Sequence, residues 1–173
     1  MSDASIFPAA CRDPARALLD SCVARGLRLA TAESCTGGLI AACLTEFAGS
    51  SRVVDRGWIT YDDRAKIELL GVRPETLAAE GAVSEATARE MAMGALARSG
   101  CALALAVTGI AGPGGATPAK PVGLVHVAVA AGGGAIRHER HLFPGDRQEV
   151  RLATVTTALN LALALLDERG PGP

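Results

Sequence analysis

The chain is poor in aromatic residues, which make up 3% of its 173 positions: one Trp, one Tyr and three Phe. Base-stacking platforms, which need several exposed rings, are therefore not expected. Net charge is also nearly absent, with 17 Lys and Arg against 18 Asp and Glu. That balance argues against the broad basic footprint of a nucleic-acid binder. Among the five cysteines, Cys11, Cys22, Cys35, Cys43 and Cys101, no CxxC pair occurs, and the number is odd. A disulfide framework or a thiolate zinc site is excluded on that basis. No apolar run reaches the ~18 residues of a membrane span. Residues 153–166 come nearest, and Thr154, Thr156, Thr157 and Asn160 interrupt them. Residues 1–11 carry Asp3 and no long apolar run, so they do not read as a signal peptide. The expectation is a soluble cytoplasmic protein without membrane contact.

What is present is a 49% hydrophobic fraction and 20 Gly. That content excludes disorder and predicts a core of Ala, Val, Leu and Ile with closely approaching elements. The length suits one domain, residues 1–173, with no internal repeat and no dividing linker.

Asp13-Pro14 reads as an N-cap with Pro at the first helical position, and Gly26 as the stop. Residues 27–32 alternate as a strand, 33–38 form a tight turn, and 39–47 form a helix. Residues 53–55 are ambiguous, and 57–61 read as a strand. A helix then starts at Asp62-Asp63 and ends at Gly71; another covers 74–80. Ser84 caps a longer helix, 85–98. Residues 101–108 are a continuous apolar run, as in a strand buried on both faces. Residues 109–121 form a loop with four Gly and three Pro. Residues 123–131 and 135–143 flank three glycines as a hairpin. Asp146 caps a final helix, 147–168, and 170–173 are expected to fray. The order predicts an α/β domain with a mixed sheet and helices on both faces.

Ligands of open α/β sheets bind beyond the carboxyl ends of strands, and four segments fall there. The first, Glu33-Ser34-Cys35-Thr36-Gly37-Gly38, offers a hydroxyl or thiol and amides at a helix start that favour anions or an oxyanion. A tight capped turn is its plain alternative. It matches neither a Walker loop nor GxGxxG. The second holds Tyr61 and Lys66, one helical turn apart. Such a pair can serve a proton transfer, or be a half-buried Tyr beside a solvated Lys paired with Asp62 or Asp63. The third, from Thr108 through Gly109 and Gly112, lets backbone approach a ligand closely, or is a flexible connection. The fourth places Arg147 in the first turn of the last helix, where a cation opposes the macrodipole unless it has another task. It offers a fork for phosphate or carboxylate. The three His, His126, His138 and His141, form no HxH or HExxH, so neither a metal site nor a Ser-His-Asp triad is expected. Cys35 beside Ser34 is an alternative nucleophile, though a buried Cys is usually inert packing.

Six motifs in order, at 31–38, 57–66, 81–84, 108–113, 120–123 and 143–147, resemble the CinA C-terminal family. That family includes stand-alone nicotinamide-mononucleotide deamidases. The resemblance implies a three-layer α/β/α sandwich with a mixed, mostly parallel sheet, and a homo-oligomer, dimer or higher. It implies hydrolysis of the carboxamide of nicotinamide mononucleotide, without metal or cofactor. By the family pattern Ser34 is the nucleophile and Tyr61 and Lys66 assist it. The same pattern maps Thr108 and Arg147 onto the site; from the residues themselves, amides of Thr36, Gly37 and Gly38 are expected to hold the oxyanion, and Glu33, Gly109 and Gly112 to contact substrate alongside Thr108 and Arg147. Asp63 departs from the family, where Asn is common; an ionised Asp cannot donate a hydrogen bond. The competing class is a non-catalytic nucleotide-binding or competence-associated regulatory protein on the same domain.

Overall fold

The computed structural model describes residues 5–170. The acidic start at Asp3 and the expected fraying of 171–173 lie outside them.

Five strands form one sheet: β1 (Leu29–Glu33), β2 (Val54–Ile59), β3 (Leu103–Gly109), β4 (Leu124–Ala131) and β5 (Ala135–Leu142), in the order β2-β1-β3-β4-β5. β1 pairs parallel with β2 and β3, and β4 pairs antiparallel with β3 and β5. β4 alone therefore runs against the others, and the sheet is mixed and mostly parallel. β1 and β4 are buried at every residue, and β3 at all but Gly109. Their continuous apolar runs are what double-sided coverage requires.

The two faces differ in side-chain size. Leu29, Leu103, Leu105, Val125, Val127 and Val129 point to a layer made of α1 (Ala9–Ala24), α2 (Leu39–Thr45) and α6 (Arg147–Glu168). Ala32, Ala104, Ala106, Ala128 and Ala130 point to α5 (Glu85–Ser99). Small residues on that face let α5 lie close to the sheet through its own Ala88, Ala92 and Ala95. A short α4 (Pro74–Glu80) packs outside α5. The result is a three-layer α/β/α sandwich.

Local expectations fail at three places. α1 starts at Ala9, and Pro14 lies inside it. Proline there cannot donate to the Ala10 carbonyl. The Thr156 hydroxyl of α6 lies 3.3 Å from that carbonyl and shares its single hydrogen with the Leu152 carbonyl at 3.2 Å, so a tertiary contact stands where the helical bond is lost. Buried Phe7 and Cys11 dock the added turn on the core. β2 starts at Val54 rather than residue 57, because parallel pairing with β1 reaches back that far.

The third place is the segment after Tyr61. It is not one α-helix but a single turn, α3 (Asp63–Ala65), followed by a π-helical turn, Lys66–Leu70, stopped by Gly71 at φ 73°. α5 explains the widening. Gly94 lies so near that a Cβ there would stand 1.8 Å from the Leu70 carbonyl oxygen. Arg98 Nη1 donates to that same oxygen at 2.7 Å.

α6 begins where expected, with a complete capping box between Asp146 and Glu149. It is long and apolar enough to cross a membrane, with a mean hydropathy of 1.4 over its best window, half of which is buried inside the domain. Here its apolar face packs on β4, β3 and α1.

Candidate active site

All four segments singled out from the sequence meet at one end of the sheet. They enclose a cavity of about 220 Å³ whose wall includes Ser34, Tyr61, Asp63, Lys66, Thr108, Gly109, Gly112 and Arg147.

Ser34 stands directly beyond β1, where its N–H bonds the Val107 carbonyl at 3.1 Å. It is 8% exposed. The turn after it is shaped from beneath by Glu33. One carboxylate oxygen accepts from Thr36 Oγ1 at 2.6 Å and from the Gly38 and Ile40 amides at 3.0 Å; the other accepts from the Ala41 amide at 2.9 Å. A negative group at the start of α2 also complements the helix dipole. This corrects the expectation of a substrate contact. Glu33 is 1% exposed, is absent from the cavity wall, and serves as an internal cap.

The same bonds redefine the oxyanion donors. Gly38 N–H is committed to Glu33, and Gly37 N–H to the Ser34 carbonyl at 3.0 Å. Both glycines instead supply the left-handed backbone of the turn, at φ 100° and 61°. The Cys35 and Thr36 amides remain, with no acceptor oxygen among the described residues. Burial pushes the Cys35 thiol up to about 12. Cys35 therefore stays protonated near neutral pH, which disfavours it as the nucleophile.

Lys66 is 1% exposed, a burial that the sequence did not reveal. The π-helical turn carries it inward, and its Nζ meets Asp63 Oδ1 at 3.3 Å and the Tyr61 carbonyl at 3.5 Å. Asp63, the departure from the family pattern, is thus the acid paired with Lys66.

The Tyr61 side chain is 59% exposed, and its hydroxyl accepts from Arg147 Nη2 at 2.8 Å. Arg147 Nη1 donates to the Gly112 carbonyl, also at 2.8 Å. One guanidinium thus joins the strand-end Tyr, the Gly-rich loop and the first turn of α6. Thr108 is 1% exposed and donates its hydroxyl hydrogen to the Ala82 carbonyl at 2.8 Å. That leaves it only acceptor capacity toward a ligand, and it holds the 81–84 segment against the cleft. A Cβ on Gly109 would lie 2.7 Å from Val125 Cγ2, so close strand packing requires glycine there.

Two contributors were not assigned a role from the sequence. Ala82 and Val83 line the cleft, brought there by the Thr108 bond; the only signal was their place within a recognised motif. Arg151 lines a second, larger cavity of about 760 Å³ that adjoins the first through Ala111, Gly112 and Arg147. Its spacing from Arg147, one helical turn, was the available signal.

The histidines stand apart from the cleft. His126 Nδ1 and His138 Nε2 lie 2.9 Å apart, and His138 Nδ1 lies 3.4 Å from Glu85. Burial first, then the neighbouring His138, lowers His126 to about 4. His141 contacts Glu139 at 2.7 Å. Among the described residues, no three of His, Cys, Asp and Glu gather as metal ligands.

These features define a class: three-layer α/β/α domains with a polar cleft at the carboxyl end of the sheet. Within that class, the chain belongs to the CinA C-terminal domain family, whose model matches residues 12–166. A CinA-like protein of Akkermansia muciniphila is 50% identical over 165 residues, 92% of this chain and 39% of that protein. A CinA-like protein of Mycolicibacterium gilvum is 50% identical over 157 residues, 89% of this chain and 37% of its own length. The chain thus spans under two-fifths of these curated relatives. Among solved structures, the competence/damage inducible protein CihA from Agrobacterium tumefaciens superposes with a TM-score of 0.92 at 54% identity, covering 93% of this chain and 98% of that one. A competence-damaged protein (CinA) superfamily protein from Klebsiella pneumoniae superposes with a TM-score of 0.87 at 39% identity, covering 91% and 98%.

Proposed function

We infer that the protein is an amidohydrolase that converts nicotinamide mononucleotide to nicotinic acid mononucleotide and ammonia, in cytoplasmic salvage of pyridine nucleotides. The observation that carries this reading is the shared cavity of Ser34, Tyr61 and a Lys66 that is 1% exposed. A lysine so deeply placed in the wall of a cavity that also holds a serine is a costly arrangement that nucleophile activation explains.

The steps follow from the groups present. Ser34 Oγ attacks the carboxamide carbon while its proton passes to Lys66 Nζ, which acts as the base after giving a proton to its partner Asp63. In the free protein Lys66 Nζ is held by Asp63, so it turns toward Ser34 when substrate enters. Amides of Cys35 and Thr36 receive the oxyanion; one such donor is typically worth ~2.7–4 kcal/mol. The C–N bond breaks as the nitrogen takes the proton held by Lys66, either directly or through the Tyr61 hydroxyl, which Lys66 reprotonates, and ammonia leaves. Water, deprotonated by the same amine, then hydrolyses the nicotinoyl ester and frees Ser34. With Tyr61 and Trp58 the only Tyr and Trp in the chain, the pyridine ring rests on backbone and aliphatic surface rather than an aromatic cage.

A second reading, a nucleotide-binding protein without turnover, is favoured by one observation: Lys66 Nζ bonds Asp63 and the Tyr61 carbonyl, and no hydroxyl among the described residues. Ammonia release separates the two. Nicotinamide mononucleotide, nicotinamide and NAD are compared, with and without chelator. Release from the mononucleotide, unaffected by chelator and lost in Ser34→Ala and Lys66→Ala, supports the enzyme; binding without release supports the other reading.

A further inference from the structure

The cavity at Ser34 holds about 220 Å³, below the ~300–1,000 Å³ usual for drug-sized ligands. It accommodates a pyridine carboxamide, and the rest of a nucleotide must continue elsewhere. Ala111, Gly112 and Arg147 form the wall this cavity shares with the neighbouring cavity of about 760 Å³.

Two guanidiniums, those of Arg147 and Arg151, belong to the wall of that second cavity, one turn apart on α6. Among the described residues neither meets a carboxylate. Arg147 donates to Gly112 and Tyr61, and Arg151 Nη2 donates to the Thr36 carbonyl at 2.7 Å. Among the described residues, buried Arg151 Nε has no hydrogen-bond partner. The acids nearby are engaged: Asp146 accepts from the Gln148 and Glu149 amides, and Glu149 accepts from the Asp146 amide.

This arrangement is unfavourable in three ways. Like charges at i,i+4 on a helix repel. Cations in the first turns oppose the helix dipole. A buried donor without an acceptor lacks the bond it had in water. A single anion between the two side chains relieves all three.

We propose that Arg151, together with Arg147, holds the substrate phosphate in this second cavity, so that Arg151 sets the preference for a phosphorylated over an unphosphorylated nucleoside. The proposal rests on the amidohydrolase reading for its substrate. Arg151 touches no reacting atom; its role is recognition.

The test compares ammonia release from nicotinamide mononucleotide and nicotinamide riboside by wild type, Arg151→Gln and Arg151→Lys. Arg151→Gln is expected to raise KM for the mononucleotide about tenfold to a hundredfold, the effect of one charge-assisted hydrogen bond. The riboside is expected to react unchanged, and Arg151→Lys to recover part of the loss. Equal losses on both substrates would mean that Arg151 acts only through Thr36 and the Ser34 turn; that, or no change on either, overturns the proposal. Calorimetric titration with ribose 5-phosphate provides an arm independent of turnover. Weaker binding to Arg151→Gln than to wild type supports the clamp even if neither amide is hydrolysed, and equal binding overturns it.

Discussion

Arg147 Nη2 donates to the Tyr61 hydroxyl at 2.8 Å across a sequence separation of 86 residues. The bond closes one side of the cleft, and it orients the Tyr61 oxygen as an acceptor with its own hydrogen free to donate. Tyr61→Phe keeps the ring and removes that hydrogen. If the hydroxyl protonates the departing nitrogen, kcat falls by roughly 100-fold or more, within the range for general acid catalysis, while KM changes little. Steady-state kinetics on nicotinamide mononucleotide checks this; an equal rise in KM with unchanged kcat would assign Tyr61 to binding instead.

Ser34 and Cys35 are adjacent, yet the structure separates their chemistry. Burial holds the Cys35 thiol at about 12, far above neutral pH. Cys35→Ala is therefore expected to keep activity within a few-fold, and Ser34→Ala to abolish it. Alkylation of the folded protein near pH 7.5, read by peptide mass spectrometry, should leave Cys35 unmodified. Activity retained in Ser34→Ala but lost in Cys35→Ala would move the nucleophile to sulfur.

Gly94 lies on α5, away from the cleft, and packs against Leu70 at the end of the π-helical turn that carries Lys66. An added methyl would meet the Leu70 carbonyl at 1.8 Å, with backbone on both sides of the contact. Gly94→Ala should cost about 1–3 kcal/mol of stability, the usual range for overpacking. It should also lower kcat by shifting the π-helical turn. Urea denaturation measures the first effect and kinetics the second; a variant of wild-type stability and activity would refute the coupling.

Glu33→Gln leaves the shape nearly unchanged but turns an amide NH₂ toward backbone N–H donors. At least one bond to Gly38, Ile40, Ala41 or Thr36 is lost. A loss of about 1–3 kcal/mol is expected, with activity lowered through disorder of the Ser34 turn. Thermal denaturation with and without the product mononucleotide provides the check.

Acid sensitivity should trace partly to His126. Its folded value of about 4 lies below the usual 6.5, so between these values the unfolded chain binds the extra proton. Stability from this source is complete above about pH 6.5 and declines as pH falls toward 4. Neutral His126 bonded to His138 is the form the fold needs. His126→Gln should flatten the stability curve between pH 6.5 and 4; a curve parallel to wild type would place the dependence elsewhere.

Much of the architecture was legible in the residues. The continuous apolar run at β3 reported a strand covered on both sides, and the residues flanking three glycines reported the β4–β5 hairpin. Asp146 marked the start of α6 because an N-cap is a local device. Turns at Gly71 and Gly100 were legible for the same reason: a left-handed stop is set by one residue. Where prediction failed, the deciding partner was distant in sequence. Pro14 stays within α1 because Thr156 supplies a tertiary contact at the Ala10 carbonyl. The helix after Tyr61 widens because Gly94 and Arg98 press on Leu70.

The candidate site divides along the same line. Residue types and their order, Ser34 after a strand, Tyr61 with Lys66, the glycines from 109 to 115 and Arg147 in a first turn, are properties of the sequence, as is the family they indicate. Their grouping into one cleft, the burial of Lys66 against Asp63, the inward engagement of Glu33, the commitment of the Gly37 and Gly38 amides and the exposure of Arg151 to a second cavity belong to the tertiary structure. The physical reason is that hydrogen-bond partners and solvent exposure are set by elements brought together from across the chain, and local spacing carries no information about which donor meets which acceptor.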